Sequence, residues 1–350
     1  MSRKWIFWLE ELGQDHNDLV GKKCANLGEI TRMGLSVPSG FALSIDAYKD
    51  FMSLTGATYE IRECLSKSGS GPRDLGQFDE LSSYIRQVLQ SKDMPEKMEK
   101  TIAKYYRELC RKCNVPEIAV SIRSSGPASH PGQYETCLNV IGESEVIDKI
   151  KEVWASTFNP RSLAFRNRKV MPLESDPIGV AVLKMVKARA AGIIFTADPN
   201  TGDTSRMIIE ANWGLGESVV SGESTPDIYI LDKDTLEVLE KRLGPKSRYI
   251  TLSEVGVTDV ETPPDKCSTF CLSDEEAKAI AKLGKSLEEH FGVPQDVEWA
   301  IDEDLPFPES VILLQTRAEV IAQKKSPVDL IVDLMLNRFS GGLGFGGEGI

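Results

Sequence analysis

Four polar side chains alternate along two apolar segments late in the sequence. In "QDVEWAID", Asp296 and Glu298 share one face of an expected strand, because alternate residues of a strand point to the same side. In "LLQTR", Gln315 and Arg317 share a face for the same reason. Carboxylate and amide oxygens suit Mg²⁺, and a guanidinium suits phosphate. The residues predict a metal and phosphate site, with a cross-strand ion pair on a solvated sheet face as the alternative.

The two segments are expected to pair as a hairpin. A register that places Ile301 opposite Ile312 creates two polar cross-strand pairs. These pairs are Glu298 with Gln315 and Asp296 with Arg317. A slip of one residue would move every side chain of a strand to the other face, so the expected site depends on this register.

Two segments in the first half of the chain carry basic residues that could meet a phosphate. In "LVGKKCANLGEI", Lys23 begins a run with helical apolar spacing, but the spacing is not that of a Walker loop. A lysine at a helix start is most often a surface residue. In "VSIRSSGPASHPGQYETCLNV", Arg123 ends a buried strand before a glycine-rich turn whose amides could hold phosphates, which is weak evidence by itself.

The elements that would position these residues form an α/β chain of two lobes. The first part reads as helices with few strands, and the second is rich in short apolar runs such as "IGVAVLKMV", "AGIIFTAD", "RMIIEANWG" and "DIYILD". A polar, proline-bearing stretch near residue 176 separates them. We therefore expect an N-terminal lobe over residues 1–176, a C-terminal lobe over residues 177–322, and a tail over residues 323–350.

Capping residues mark the helices. Ser44 is an expected N-cap before "IDAYKDFMSL", and Ser273 with Glu276 forms a capping box at the start of "DEEAKAIAKLGKSLEEHF". In the tail, "VDLIVDLMLNRF" has the apolar spacing of a short amphipathic helix followed by a glycine-rich end. We expect this tail to dock on a partner, or to fold back on its own lobe.

Composition excludes several classes of function. The 350 residues carry a formal net charge of −12, which offers no basic surface for nucleic acid or an anionic membrane. The start has too short an apolar run for a signal peptide or a membrane span, so a cytoplasmic location is expected. Seven scattered cysteines fit reduced thiols. The three histidines lack the surroundings of a hydrolase triad or a zinc site.

Six separated motifs resemble the ATP-binding part of phosphoenolpyruvate synthase and pyruvate phosphate dikinase. They are "GKKCANLGEI", "VPSGFALS", "IRSS" with "GQYETCLNV", "AGIIFTADPNTGD", "ANWGLGESVVSGESTPDIY" and "DVEWAID" with "LLQTR", in that order. The resemblance covers roughly residues 10 to 320. It implies an ATP-grasp fold, in which two lobes clamp ATP, and it implies Mg²⁺ or Mn²⁺ as the metal.

The same resemblance assigns expected roles at the phosphate end. Glu298 and Gln315 match the metal ligands. Three residues match the catalytic basic groups that contact the phosphates, and these are Lys23, Arg123 and Arg317. In the family, a phosphoryl group from ATP passes to a histidine on a separate, swivelling domain.

Further matches concern the nucleotide. Gly132 and Thr136 match the turn over ATP, Asp296 is a supporting carboxylate, and Glu217 is a polar candidate of unclear role. The linker that receives adenine through backbone groups spans residues 183–186 and includes Leu183, Met185 and Val186.

The sequence departs from the family pattern in three ways. The loop "GPASHP" is shorter than the insertion expected in the synthases, so the lid over the phosphates would close differently. Leu183 stands where the synthases usually have glutamine, and a leucine cannot hydrogen-bond the base. The histidine motif "G-G-x-[TS]-[SC]-H-A" is absent, and "ASHPG" around His130 is not that motif.

These features lead to one main hypothesis and two alternatives. The chain is expected to be the ATP-binding subunit of a two-subunit phosphotransferase that forms AMP and phosphate. Its partner would carry the histidine domain, and its size and order resemble the smaller subunit of phenylphosphate synthase, with an acceptor such as phenol. The alternatives are an N-terminal part of a phosphoenolpyruvate synthase-like enzyme and a non-catalytic ATP sensor.

Overall fold

The computed structural model describes residues 4–67, 74–127, 134–222 and 224–319. The strands are β1 (Ile6–Trp8), β2 (Gly40–Leu43), β3 (Val120–Ser125), β4 (Thr136–Val140), β5 (Gly179–Lys184), β6 (Ala188–Phe195), β7 (Arg206–Trp213), β8 (Asp227–Asp232), β9 (Val238–Arg242), β10 (Arg248–Leu252), β11 (Val257–Glu261), β12 (Gln295–Asp302) and β13 (Val311–Ala318). The α-helices are α1 (Asn17–Val20), α2 (Lys22–Arg32), α3 (Ile45–Leu54), α4 (Ala57–Lys67), α5 (Leu75–Ser91), α6 (Glu96–Lys112), α7 (Glu143–Ala155), α8 (Pro160–Arg168), α9 (Glu217–Val220), α10 (Pro264–Cys267) and α11 (Asp274–Phe291).

The N-terminal lobe is built on a five-stranded sheet with the order β1-β2-β5-β3-β4. Helices α3 to α8 cover it, and their apolar faces fill one core with Trp154, Phe51 and Tyr48 at its centre. Strand β5 pairs with β2 on one side and with β3 on the other. The predicted boundary near residue 176 assigned this strand to the second lobe. That assignment is wrong, because the sheet of the first lobe continues to Lys184.

The C-terminal lobe is built on a six-stranded sheet with the order β13-β12-β6-β7-β8-β9. Helix α11 packs against this sheet, with Ala277, Ile280 and Leu287 in the core. The strands β10 and β11 form a separate antiparallel hairpin. These two lobes with a cleft between them are the predicted α/β architecture of the ATP-grasp type.

The predicted caps are present. The Ser44 hydroxyl accepts a hydrogen bond from the Ala47 N–H at the start of α3. At the start of α11, Ser273 and Glu276 form the reciprocal capping box, and Gly292 ends the helix in the left-handed conformation. Both signals are local in sequence, which is why they could be read without the structure.

Helix α2 joins the lobes. It belongs to the N-terminal lobe by chain order, yet its residues Ala25, Leu27 and Ile30 share a core with Leu313 of β13. The Asn26 side chain donates a 2.9 Å hydrogen bond to the Thr316 carbonyl. The lobes therefore meet along one edge through apolar packing, which makes this edge the firm side of the cleft.

Two predictions concern other parts of the chain. The docking helix expected in the tail lies outside the described residues. Within the described residues, no helix is long and apolar enough to cross a membrane.

Candidate nucleotide site

A cavity of about 370 Å³ lies between the two sheets. One end is polar and the other is apolar. Its lining includes Ser121 and Arg123 of β3, Thr136 and Leu138 of β4, Leu183 to Val186, Ala188, Ala191 and Gly192 of β6, the segment from Leu215 to Glu217, Glu298 to Ala300 of β12, and Leu314 of β13. Both lobes therefore contribute walls, as expected for a clamp around a ligand.

Glu298 is the centre of the polar end. Its Oε2 atom accepts a 2.8 Å hydrogen bond from Arg123 Nη2, and its Oε1 atom accepts one of 3.0 Å from Gln315 Nε2. Arg123 and Glu298 line the cavity, and Gln315 adjoins them. Strand β3 supplies the arginine and the β12–β13 pair supplies the other two, so the group forms only when the sheets face each other.

The charges at this end stabilise the ionised carboxylate. Burial raises the pKa of Glu298, but Arg123 and Lys23 more than offset that effect, and the net pKa lies below the usual value. Burial also raises the pKa of Glu217, a carboxyl group on the cleft wall. The Nε atom of Arg123 is buried and has no hydrogen-bond partner. A buried donor of this kind is costly, so it indicates a place for an acceptor such as phosphate.

A second ion pair lies beside the first. Arg317 donates through Nε and Nη2 to Asp296 Oδ2, at 2.8 Å and 2.6 Å. Burial raises the pKa of Asp296, and Arg317 opposes that rise. The alternative that sequence left open, a cross-strand ion pair, is therefore present. It is partly buried at the edge of the cleft rather than on a fully solvated sheet face.

Lys23 lies in the first turn of α2, next to Arg123 and Glu298. Gly21 precedes the helix with φ +80, and a Cβ there would lie 1.9 Å from the Ser125 carbonyl oxygen, so only glycine allows this approach. The Ser125 hydroxyl then caps the helix by accepting from the Cys24 N–H. Burial, together with the nearby Arg123, lowers the pKa of Lys23 to about 8.

The apolar end suits a flat heterocycle. Val186, Ala191, Ala300 and Ile312 form a small buried cluster, with Leu314 packed against it. The 183–186 linker borders this cluster. Its Lys184 and Met185 N–H groups already donate to the Ser39 and Ala119 carbonyls. Among the described residues, no backbone carbonyl accepts a hydrogen bond from the Val186 N–H. This N–H is therefore the donor that remains in the linker.

The predicted pairing of β12 with β13 is correct at its polar half and wrong at its apolar half. Glu298 pairs with Gln315 and Asp296 with Arg317, as the sequence predicted. Ile301, however, pairs with Val311, because a β-bulge shifts the register between Glu298 and Trp299. The bulge adds Leu314 to β13, and its carbonyl accepts a 3.4 Å bond from Arg123 Nη1.

The donor set fits a metal that arrives with a nucleotide. The described part of the chain holds no group of three or more histidine, cysteine, aspartate or glutamate side chains arranged around a metal. Glu298 and Gln315 offer one carboxylate and one amide side by side. Mg²⁺ is commonly held by one or two protein ligands plus substrate phosphates and water. The pair matches that pattern and does not match a closed structural site.

Most sequence-predicted residues come together. Arg123, Thr136, Glu217 and Glu298 line the cavity together with the 183–186 linker. The remaining predicted residues adjoin the polar end, and these are Lys23, Asp296, Gln315 and Arg317. Gly132 lies outside the described residues. Leu183 is buried in the core and presents only apolar surface to the cleft.

Sequence reasoning missed several wall residues. Ser121, Leu138 and Leu215 line the cavity, yet none of them had a chemical signature. The alternation of β3 and β4 could have found the first two, because each lies two residues from a predicted site residue on the same strand face.

Residues 17–337 match the family described as "Pyruvate phosphate dikinase, AMP/ATP-binding domain". The chain belongs to this family. The match covers both lobes and the whole cleft. The apolar end and the basic, carboxylate-bearing end are therefore parts of an AMP/ATP-binding domain, and the expected ATP-grasp fold is confirmed.

Its relatives include phosphoenolpyruvate synthases. The chain is 39% identical to a probable phosphoenolpyruvate synthase of Staphylothermus marinus over 91% of this chain and 42% of that protein. It is 36% identical to phosphoenolpyruvate synthase of Aeropyrum pernix over 93% of this chain and 43% of that protein. The chain thus spans less than half the length of these relatives. They give no support to the expected relationship with phenylphosphate synthase.

Proposed function

We propose that this chain is the ATP-binding part of a phosphoenolpyruvate synthase-like dikinase. The observation that carries the proposal is the convergence of Lys23, Arg123, Glu298 and Gln315 at one end of a cleft whose other end is apolar. ATP would be cleaved to AMP and phosphate, and one phosphoryl group would pass to a histidine that lies outside this chain.

The two ends of the cleft fix the direction of the nucleotide. The adenine would pack on the cluster around Ala191 and Ala300, with the Val186 N–H as a backbone donor. The triphosphate would then extend toward Arg123 and Lys23. Because Leu183 offers no polar group, base recognition would rest on shape and on the backbone.

The two ion pairs hold the arginines ready for a triphosphate. Without nucleotide, Arg123 is neutralised by Glu298 and Arg317 by Asp296. An incoming phosphate competes with each carboxylate for its guanidinium, and the unpartnered Arg123 Nε is an additional donor. The charge that develops during phosphoryl transfer would be stabilised by groups already in position, which is the main source of catalysis in such reactions.

Glu298 and Gln315 would hold Mg²⁺ or Mn²⁺, which supplies charge neutralisation between phosphate groups. Gln315 now donates its NH₂ group to Glu298. To hold a cation together with Glu298, Gln315 would have to present its amide oxygen instead of its NH₂ group. We therefore expect metal binding to reverse the Gln315 amide, while Arg123 moves toward the phosphates.

The candidate functions differ in where the histidine that accepts the phosphoryl group lies. The relatives support the alternative of a phosphoenolpyruvate synthase-like enzyme better than the two-subunit phenylphosphate synthase. The histidine domain would then belong to the remainder of such an enzyme, and a separate partner subunit is the second candidate. A pure ATP sensor is disfavoured, because binding alone does not need both ion pairs and the carboxylate–amide pair.

Product analysis tests the proposal. The chain would be incubated with MgATP, alone and together with the polypeptide that carries the histidine domain, and AMP, ADP and phosphate would be quantified. We expect AMP and phosphate only when both are present. Pyruvate and phenol would be offered as competing acceptors, and we expect phosphoenolpyruvate. ADP as the main product, or no binding of ATP, would contradict the proposed function.

A further inference from the structure

The hairpin β10–β11 is attached to the cleft wall at its base. The Leu215 N–H donates a 2.8 Å bond to the Ile250 carbonyl, and Asn212 Nδ2 donates one of 3.0 Å to the Arg248 carbonyl. Gly214 has φ +66, and a Cβ there would lie 2.1 Å from the Ile250 oxygen. The close approach fixes the hairpin to residues 215–217, of which Leu215 and Glu217 line the nucleotide cavity.

The tip of the hairpin accepts two hydrogen bonds from a side chain of the other lobe. Asn139 Nδ2 donates to the carbonyl oxygens of Ser253 and Gly256, both at 2.8 Å. Both amide hydrogens are used, because the tight turn brings the two carbonyl groups together. Asn139 belongs to β4, the edge strand of the N-terminal sheet, and only 7% of its surface is exposed.

The residue type suits this position closely. Asn139 has φ +55, a left-handed conformation that asparagine and aspartate tolerate better than other side chains with a Cβ. Asparagine also offers two N–H donors on one atom. Aspartate has the same shape and backbone tolerance but would present oxygen to two carbonyl groups. The two hydrogen bonds to the hairpin therefore depend on the amide group of Asn139.

Two of the contacts between the lobes differ in kind and lie on opposite sides of the cleft. Along α2 and β13 the lobes share an apolar core, whereas at the hairpin tip they meet through the two hydrogen bonds of Asn139. Between these contacts lies the cleft, with Thr136 and Leu138 of β4 on one wall and Leu215 and Glu217 on the other.

We propose that Asn139 is a positioning residue for nucleotide binding, which ties β4 to the hairpin and so holds the two cleft walls at the spacing that a nucleotide requires. The inference rests on the proposed function, since it assumes that ATP occupies this cleft. Breaking the tie lets the hairpin side of the cleft open about the firm α2–β13 edge. The fraction of molecules competent to bind then falls, and apparent affinity falls with it.

Paired substitutions test the proposal. Asn139→Asp keeps the shape and the backbone but replaces both donors, and Asn139→Gly keeps the backbone conformation without a side chain. Asn114→Asp is the matched control, because Asn114 also has φ +55 but is exposed and, among the described residues, its side chain shows no hydrogen bond to the hairpin. The readouts are calorimetry with MgAMP-PNP and hydrogen exchange at the Leu215 amide and along β10–β11.

We expect Asn139→Asp to bind AMP-PNP about tenfold more weakly, equivalent to about 1.4 kcal/mol, with faster exchange along the hairpin. Asn139→Gly should show a smaller loss, and Asn114→Asp should bind within about twofold of the parent, as surface changes usually do. In steady-state assays of the assembled enzyme, Asn139→Asp should raise KM for ATP and change kcat little.

The outcomes separate this inference from the proposed function. If the parent chain does not bind AMP-PNP, the proposed function fails and this inference fails with it. If the parent binds and Asn139→Asp binds equally well, only the positioning role of Asn139 is overturned. Unchanged hairpin exchange in Asn139→Asp would overturn it too, as would a loss of affinity that Asn114→Asp reproduces.

Discussion

Lys23 makes the affinity for nucleotide depend on pH in a way that the structure predicts. Burial and the neighbouring Arg123 lower its pKa to about 8 in the free protein. A bound triphosphate favours the protonated ammonium, so the pKa must rise on binding. Protein at alkaline pH therefore has to take up a proton before the lysine can contact a phosphate.

The size of the effect follows from the titration. At pH 8 about half of the Lys23 side chains are neutral, and at pH 9 about nine tenths are. If the bound lysine stays protonated, affinity falls about tenfold between pH 7 and pH 9, equivalent to about 1.4 kcal/mol. A terminal phosphate with a second pKa of about 6 is almost fully ionised above about pH 7.5, so the ligand adds little slope of its own there.

Calorimetry with MgAMP-PNP measures both parts of the prediction. Titrations from about pH 7.5 to about pH 9.5 give the affinity, and buffers of different ionisation enthalpy give the number of protons taken up. We expect nearly one proton per nucleotide at about pH 9. In Lys23→Arg the uptake should disappear, because a guanidinium stays charged throughout this range.

The adjacent lysine provides the control. Lys22 lies one residue earlier on α2, and Lys22→Met should keep the pH dependence of the parent chain, while Lys23→Met should bind weakly at every pH. An equal slope in the parent and in Lys23→Arg would refute the reasoning. Absence of proton uptake by the parent chain at about pH 9 would refute it as well.

Three further predictions concern the site and its support. Glu298→Gln should lower metal-dependent AMP formation by about two orders of magnitude or more, roughly 3 kcal/mol of barrier, and AMP formation near the parent rate would remove Glu298 from the metal site. Arg317→Lys should lower AMP formation about tenfold or more, because lysine lacks the planar pair of donors; a normal rate would leave Arg317 as a structural partner of Asp296. Ser273→Ala should lower the free energy of unfolding in urea by about 1 kcal/mol through loss of the α11 cap, and a change in nucleotide affinity would contradict this purely structural role.

Local patterns carried much of the prediction. The cap at Ser44 and the capping box at Ser273 depend on residues within one helical turn, so they could be read directly. The polar face of β12 followed from alternation alone, and Val297 and Trp299 are buried on its opposite face. The residues that the sequence predicted for the phosphates also meet at one end of the cavity, and their role there stays a prediction.

Long-range pairing explains what the sequence could not show. Strand β5 is an apolar run like those that follow it, and nothing local indicates that it inserts between β2 and β3. The bulge at Leu314 has no glycine or other local signal. The contact between Asn139 and the hairpin joins residues more than a hundred positions apart in sequence. Such contacts are decided by tertiary packing, which single-sequence patterns do not contain.

The bulge in β13 has a consequence for changes in chain length. On the cleft face, the pairs Asp296 with Arg317 and Glu298 with Gln315 are followed directly by Ala300 with Ile312. Leu314 is the extra residue between the polar and the apolar parts of β13. Deleting Leu314 would leave the pairs on both sides in their places and remove one apolar wall and one acceptor for Arg123. Deleting Thr316 instead would move Arg317 to the opposite face of the strand. The strand could therefore be shortened by one residue at this point and still pair Glu298 with Gln315, so the bulge is the one place in β13 where a change of length spares both polar pairs.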